Sequence, residues 1–366
     1  MMWLLAFGCC LLTACSASGN DEGLQGPVQT KSPVITIYVY SPEHPILTRS
    51  DVGNIDAISD ESKVTLLQIW LFDSNTGATV GHLTTDTLDM LNATEGAVYQ
   101  IPVDDDFARH KPNVDVFVLA NITDESCGCH FDATSTRKQL LNNAKLSLNF
   151  YSLSPRTTAV PEAGLPMAGV LRDQPVIGDA PVLRIGTEHQ IATVQLTRAV
   201  SKLRFVFANT TSAQTMSIND IQMNAGMIPN VEYLIPQDKQ LDYNQNAAQL
   251  ASSISPVASV ADPTIYIYGG QTAQEYETLI NNSGLTIVGP FYLRESDKRL
   301  SGFIKYNIGT AAEQTATYQM ERAGDFLRNR SWIIYAYHDG GTNLQIGNIY
   351  VKDWTTRTLN HEVYNW

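Results

Sequence analysis

The chain has 366 residues, with 24 basic against 37 acidic side chains and a formal net charge of −13. That length suits two domains of ordinary size, and that charge repels phosphate backbones, which argues against nucleic acid as a partner. Five cysteines, three of them before residue 16, build no disulfide framework, so the folded body must rest on its hydrophobic core.

Residues 1–15 are an apolar run closed by Leu12-Thr13-Ala14-Cys15. The run is too short for a transmembrane helix. A leucine, two small residues and a cysteine resemble a bacterial lipobox, which suits a lipoprotein signal peptidase. On that reading Cys15 becomes the acylated N-terminus of an exported protein tied to a membrane. An ordinary secretory signal peptide is the alternative, and the basic start common to both is missing, since residues 1–15 hold no Lys or Arg. Residues 16–32 are rich in Ser, Gly, Asn, Asp and Gln and read as a flexible tether. No later stretch reaches about 18 apolar residues, so no second membrane anchor is expected.

Strand patterns follow. Residues 34–40, Val-Ile-Thr-Ile-Tyr-Val-Tyr, are β-branched and aromatic throughout. Ile35, Ile37 and Val39 fall on one face of such a strand, and Val34, Thr36, Tyr38 and Tyr40 on the other. Residues 66–72 form the next strand candidate, closed by a turn ending at Gly77, and residues 114–121 another. Leu140, Leu141, Ala144 and Leu148 carry helical spacing within 136–148, with Thr134 or Ser135 as cap. The Pro- and Gly-bearing stretch 160–186 predicts a domain boundary, and a second strand-rich half starts near residue 188. Its candidates are residues 191–197, 200–207, 216–223, 264–268, 285–293, 302–308, 331–338 and 344–351. Many short strands with turns between them predict a mainly β chain of antiparallel β-sandwiches, residues 33–187 and 188–366, with one short helix in the first.

Several pieces taken together resemble one known family, the fimbrillins, the type V pilins of bacteria with outer membranes. They are the lipobox, Thr48-Arg49-Ser50, Ile69-Trp70-Leu71-Phe72-Asp73 with Gly77, and Gly164-Leu165-Pro166-Met167-Ala168-Gly169. Leu196 to Leu203, Phe326 to Arg330 and Val351-Lys352-Asp353-Trp354 continue the match in order. The resemblance implies two transthyretin-like sandwich domains and assembly by strand exchange. An Arg-specific extracellular protease would cut between Arg49 and Ser50, and the first strand within residues 33–49 would leave. A strand from another subunit would then fill the groove, carrying the lipidated precursor of the outer membrane into a fimbrium on the cell surface. Arg49 lies between Pro45 and Gly53 in a segment of turn-forming and polar residues, where proteases cut. The donor strand implied lies in residues 349–366 and includes Ile349, Val351, Leu359 and Val363. The same segment equally reads as a C-terminal strand packed on its own domain.

Other motifs carry less. Cys127-Gly128-Cys129-His130 lacks the spacing and second ligand pair of a structural zinc site, and reads as a local disulfide or as thiols. Asp104-Asp105-Asp106 lacks the order of a calcium loop and reads as a solvated acidic turn. Asp238 and Asp242 have the residue type of a glycosidase pair but no readable separation. No nucleophile-elbow, zincin or phosphate-loop motif is present, so neither catalysis nor a cofactor or metal is expected. Three other readings stand beside the shaft or tip subunit: a lipid-retained pilus anchor, a glycan-binding surface lipoprotein, and a lipid-anchored hydrolase with no motif in support.

Overall fold

A computed structural model of the chain describes residues 32–40, 59–88, 91, 96–146, 160, 162–237, 240–257, 259 and 285–353. The first half supplies eleven strands: β1 (Val34–Tyr40), β2 (Leu67–Asp73), β3 (Thr79–Thr85), β4 (Gly96–Pro102), β5 (Val114–Ala120), β6 (Lys145–Leu146), β7 (Met167–Gln174), β8 (Val176–Asp179), β9 (Val182–Ile185), β10 (Thr193–Gln195) and β11 (Thr197–Arg198). One sheet joins β4, β1, β9, β8 and β10, and a second runs β11-β7-β5-β2-β3. Alternate residues of both sheets enter one core, Ile35, Ile37 and Val39 among them, together with Ile69, Leu71, Val116, Val118, Leu183 and Ile185.

Strands β2 and β5 are buried along nearly their whole length because both their faces are covered. Trp70, 0 % exposed, sits under the loop that follows residue 130 and donates from Nε1 to the Asp132 carbonyl at 2.8 Å. The helix expected over 136–148 forms as Arg137–Asn143. Its cap is Thr136, one residue beyond the expected choices, because only Thr136 stands three residues before Gln139 and closes a reciprocal capping box with it. The helix stops short of Leu148 because Ala144 leaves helical geometry and β6 pairs with Glu232–Tyr233. A second helix, Asp105–His110, begins where an acidic turn was expected. Asp104 accepts from the Phe107 amide at 2.6 Å, and Asp105 and Asp106 place negative charge against the positive end of the helix dipole.

The second half supplies β12 (Ser201–Asn209), β13 (Met216–Met223), β14 (Glu232–Tyr233), β15 (Ala248–Val257), β16 (Thr286–Leu293), β17 (Ser301–Ile308), β18 (Gln314–Gln319), β19 (Arg330–His338) and β20 (Gln345–Asp353). Two four-stranded sheets, β16-β12-β19-β20 and β15-β13-β17-β18, enclose a separate core of Phe205, Phe207, Ile218, Ile221, Ile304, Tyr318, Trp332 and Ile334. The chain is thus mainly β, in sandwiches of largely antiparallel sheets. Parallel ladders occur where β1 meets β9 and β10, and where β12 meets β19. Each joins strands far apart in sequence, which gives the long crossover that parallel neighbours need. The second half was expected from residue 188, yet β10 and β11 hydrogen-bond to β1 and β7, so the chain passes between the two sandwiches at residues 199–200. The expected strand at 264–268 lies outside the described residues.

Candidate functional site

Although it is the first described strand, β1 lies inside its sheet. It pairs antiparallel with β4 along all seven residues, from Val34 opposite Pro102 to Tyr40 opposite Gly96. Its other edge pairs with β9 over Val34–Thr36 and with β10 over Tyr38–Tyr40. Ile35, Ile37 and Val39 are 0–1 % exposed. Removing β1 would therefore empty a slot with three side-chain pockets and an unpaired edge on each side.

The opposite face of β1 is turned outward. The Tyr38 and Tyr40 rings lie 4.6 Å apart, and Gly96 makes room for them, since a Cβ there would stand 2.6 Å from the Tyr38 ring. Among the described residues, Tyr40, Val98, Val182, Ile191 and Leu327 are the large apolar side chains that stand exposed. The first four belong to this sheet or adjoin it.

The next described residues after β1 open with a one-turn 3₁₀ helix, Ser59–Ser62. Glu61, 1 % exposed, sits between the two sandwiches. Lys202 Nζ stands 2.9 Å from its Oε1, and the Tyr292 hydroxyl donates to the same oxygen at 2.7 Å. Arg198 donates to the Glu61 carbonyl at 2.9 Å, to Ser62 Oγ at 2.6 Å and to Asn329 Oδ1 at 3.1 Å. Burial pushes the Arg198 guanidinium down to about 10, which leaves it charged at neutral pH. Burial, with the Glu61 charge beside it, raises the Tyr292 phenol. Arg198 and Lys202 come from one family-like stretch of the sequence and Asn329 from another. The fold brings them together on a glutamate that sequence reasoning had passed over.

A second missed residue is Asn121, 0 % exposed and at φ 60. Its Nδ2 donates to the Lys63 and Leu165 carbonyls at 2.8 and 2.7 Å, and its Oδ1 accepts from the Thr65 amide at 2.8 Å. This stitches the chain entering β2 to the Gly164–Gly169 segment. Gly164 has φ +82, and a Cβ there would stand 2.4 Å from Asn121 Nδ2. A Cβ on Gly169 would stand 2.5 Å from Val194 of β10.

No protein-family model matches the chain, and no curated protein matches it in sequence. Solved structures do match. The tip fimbrial protein Mfa3 from Porphyromonas gingivalis, with C-terminal truncation, aligns at TM-score 0.50 and 14 % identity, covering 88 % of this chain and 100 % of its own. A protein of Parabacteroides distasonis described as a cell adhesion protein aligns at TM-score 0.53 and 12 % identity, over 88 % and 97 % of the two chains. One of Bacteroides eggerthii, described in the same way, aligns at 0.52 and 14 %, over 90 % and 98 %. The chain shares its fold with fimbrial proteins. Identities this low carry the architecture and leave each residue's role to be argued from this chain.

Within the fimbrial fold, β20 pairs antiparallel with β19, placing Ile349 opposite Ile334 and Val351 opposite Trp332. Among the described residues it is one of the two edge strands of its sheet. Cys15, Arg49, Ser50, Asp238, Leu359 and Val363 lie outside the described residues. Cys127 and Cys129 are thiols with sulfurs 3.8 Å apart. Among the described residues, no three His, Cys, Asp or Glu side chains gather as a metal site, and no helix is long and apolar enough to cross a membrane.

Proposed function

We propose that the chain is a structural or tip subunit of a type V pilus that polymerises by donor-strand exchange after cleavage at Arg49. One observation carries the reading. β1 is held on both edges and buries Ile35, Ile37 and Val39, and its covalent link to the strands that follow runs through the segment that contains Arg49. Cleavage frees β1, while the chain beyond stays pinned at Ser59–Ser62 through Glu61. Burial of three aliphatic side chains is worth roughly 5–9 kcal/mol, and the emptied slot also has two edges of unpaired backbone groups. A strand of another subunit recovers both terms, and a head-to-tail contact of this kind extends into a filament. On this reading the lipid at Cys15 is a temporary anchor that departs with β1.

Sequencing the N-terminus of protein recovered from surface fibres tests the proposal. A start at Ser50 supports it, and R49A chains should stay lipidated and outside the polymer. Fibres built from chains that begin at an acylated Cys15 would overturn cleavage and favour the anchor subunit. A second reading, a glycan-binding surface protein, is favoured by the outward Tyr38 and Tyr40 pair. Binding to a polysaccharide array without polymer formation, lost when both tyrosines become alanine, would establish it.

A further inference from the structure

Cys127, Gly128 and Cys129 take no part in the slot around β1. Cys127 ends a one-turn helix, Asp124–Cys127, and Gly128 follows at φ +69. That left-handed residue turns the chain back, so that the two sulfurs approach to 3.8 Å. Among the described residues nothing lies within 4 Å of a Cβ built on Gly128, and both cysteines are half-buried. A disulfide bond is about 2.05 Å long. Closure thus needs a shift of less than about 2 Å in a loop whose single intervening residue is glycine.

We propose that Cys127 and Cys129 form a reversible dithiol–disulfide pair, oxidised by exchange with an external disulfide. The Cys127 thiolate attacks the external disulfide, expels one thiolate and holds the other half as a mixed disulfide. Cys129 then loses its proton, attacks the Cys127 sulfur and expels the second thiolate. Two S–H bonds are lost and one S–S bond forms. Two electrons and two protons pass to the external sulfurs, which leave as thiols. The order of attack follows from the surroundings. Both thiols reach backbone carbonyls, Cys127 Sγ those of Thr123 and Cys129 at 3.3 Å and Cys129 Sγ that of Asn143 at 3.2 Å, but burial, with Cys127 alongside, pushes the Cys129 thiol up to about 12. A thiol held protonated is a poor first nucleophile. Closing a one-residue loop removes little chain entropy, so the bridge adds little stability and yields readily to external thiols. Oxidation also withdraws the Cys129 S–H from Asn143, the last residue of the helix that leads into β6.

The test equilibrates the full chain in glutathione buffers of varied thiol-to-disulfide ratio, quenches with acid, caps thiols with a maleimide and digests with trypsin. The peptide of residues 110–137, bounded by Arg109 and Arg137, contains no other cysteine. It should be doubly capped in thiol-rich buffer, and uncapped and two hydrogens lighter in disulfide-rich buffer. In timed acid quenches after mixing with oxidised glutathione, C129S should take up glutathione on Cys127 faster than C127S takes it up on Cys129. A peptide doubly capped at every ratio would overturn the pair. Equal rates of adduct formation in the two variants would overturn the order of attack, and the unsubstituted chain decides the first question even if a variant folds poorly.

Discussion

Replacing Ile37 with alanine asks whether β1 is present in the assembled form. Ile37 is 1 % exposed, sits mid-strand opposite Tyr99, and packs into a core closed by two sheets. Neither sheet can collapse far into the space left behind. The loss should therefore fall in the middle of the usual range for such truncations, about 3–4 kcal/mol. At 2–4 °C per kcal/mol for bodies of this size, Tm of the unprocessed chain should drop by roughly 6–16 °C. The population with β1 detached should rise on the order of 10²–10³-fold, read as faster digestion of the core by a protease in native buffer. Under the proposed strand exchange fibres lack β1, and they should dissociate at the same temperature whether built from I37A or unsubstituted chains. The measurements are calorimetry on the precursor and thermal dissociation of the fibre. Equal weakening of precursor and fibre would show that β1 stays in the polymer, and would refute strand exchange at this slot.

Three further outcomes follow from the same geometry. G164A should lower stability by about 2–4 kcal/mol in denaturant titration, because it adds left-handed strain to a clash with buried Asn121. E61A should cost about 3–5 kcal/mol, since Lys202 loses its carboxylate in a site where both side chains are buried; a double substitution, E61Q with K202M, should recover much of that loss. Arg328 holds both Glu232 and Glu295 at 2.6 Å. Burial pushes Glu232, the more enclosed carboxyl, up to about 9. The folded chain then keeps a proton that the unfolded chain releases from about pH 4.5, so this contribution is full below that pH and is lost as pH rises through about 9. Arg328 holds Glu295 below its ordinary range, so its contribution is lost only as pH falls below that of a normal carboxylate. Unfolding midpoints between pH 5 and 9 should decline in the native chain and flatten in E232Q.

Much of the strand content was readable, because a period of two is a local property. Ile35, Ile37 and Val39 declare their common face within seven residues, and β12 and β19 announce themselves through β-branched and aromatic runs. Among the strands that passed unnoticed, β4 and β15 did so for equally local reasons. The first is framed by Gly96 and Pro102, which read as turn signals, and the second is rich in serine and carries irregular pairing. The acidic start of the helix at Asp105 was missed because a capping aspartate and a solvated one look alike until the first turn is seen to form.

The amino-acid sequence by itself determined that this is a β-rich chain, which strand faces are apolar, and which short motifs resemble a pilin. Steric preference and side-chain alternation act over a few residues and leave their mark there. Only the tertiary structure decided that β1 lies between β4 and the paired ends of β9 and β10, about 150 residues away. It also decided that Glu61, from a polar Ser-Asp-Glu-Ser run, is buried against Lys202 and Tyr292. Both depend on where distant segments come to rest. Backbone edges and buried charges take whichever partners the whole fold delivers, and no local pattern records which ones those are.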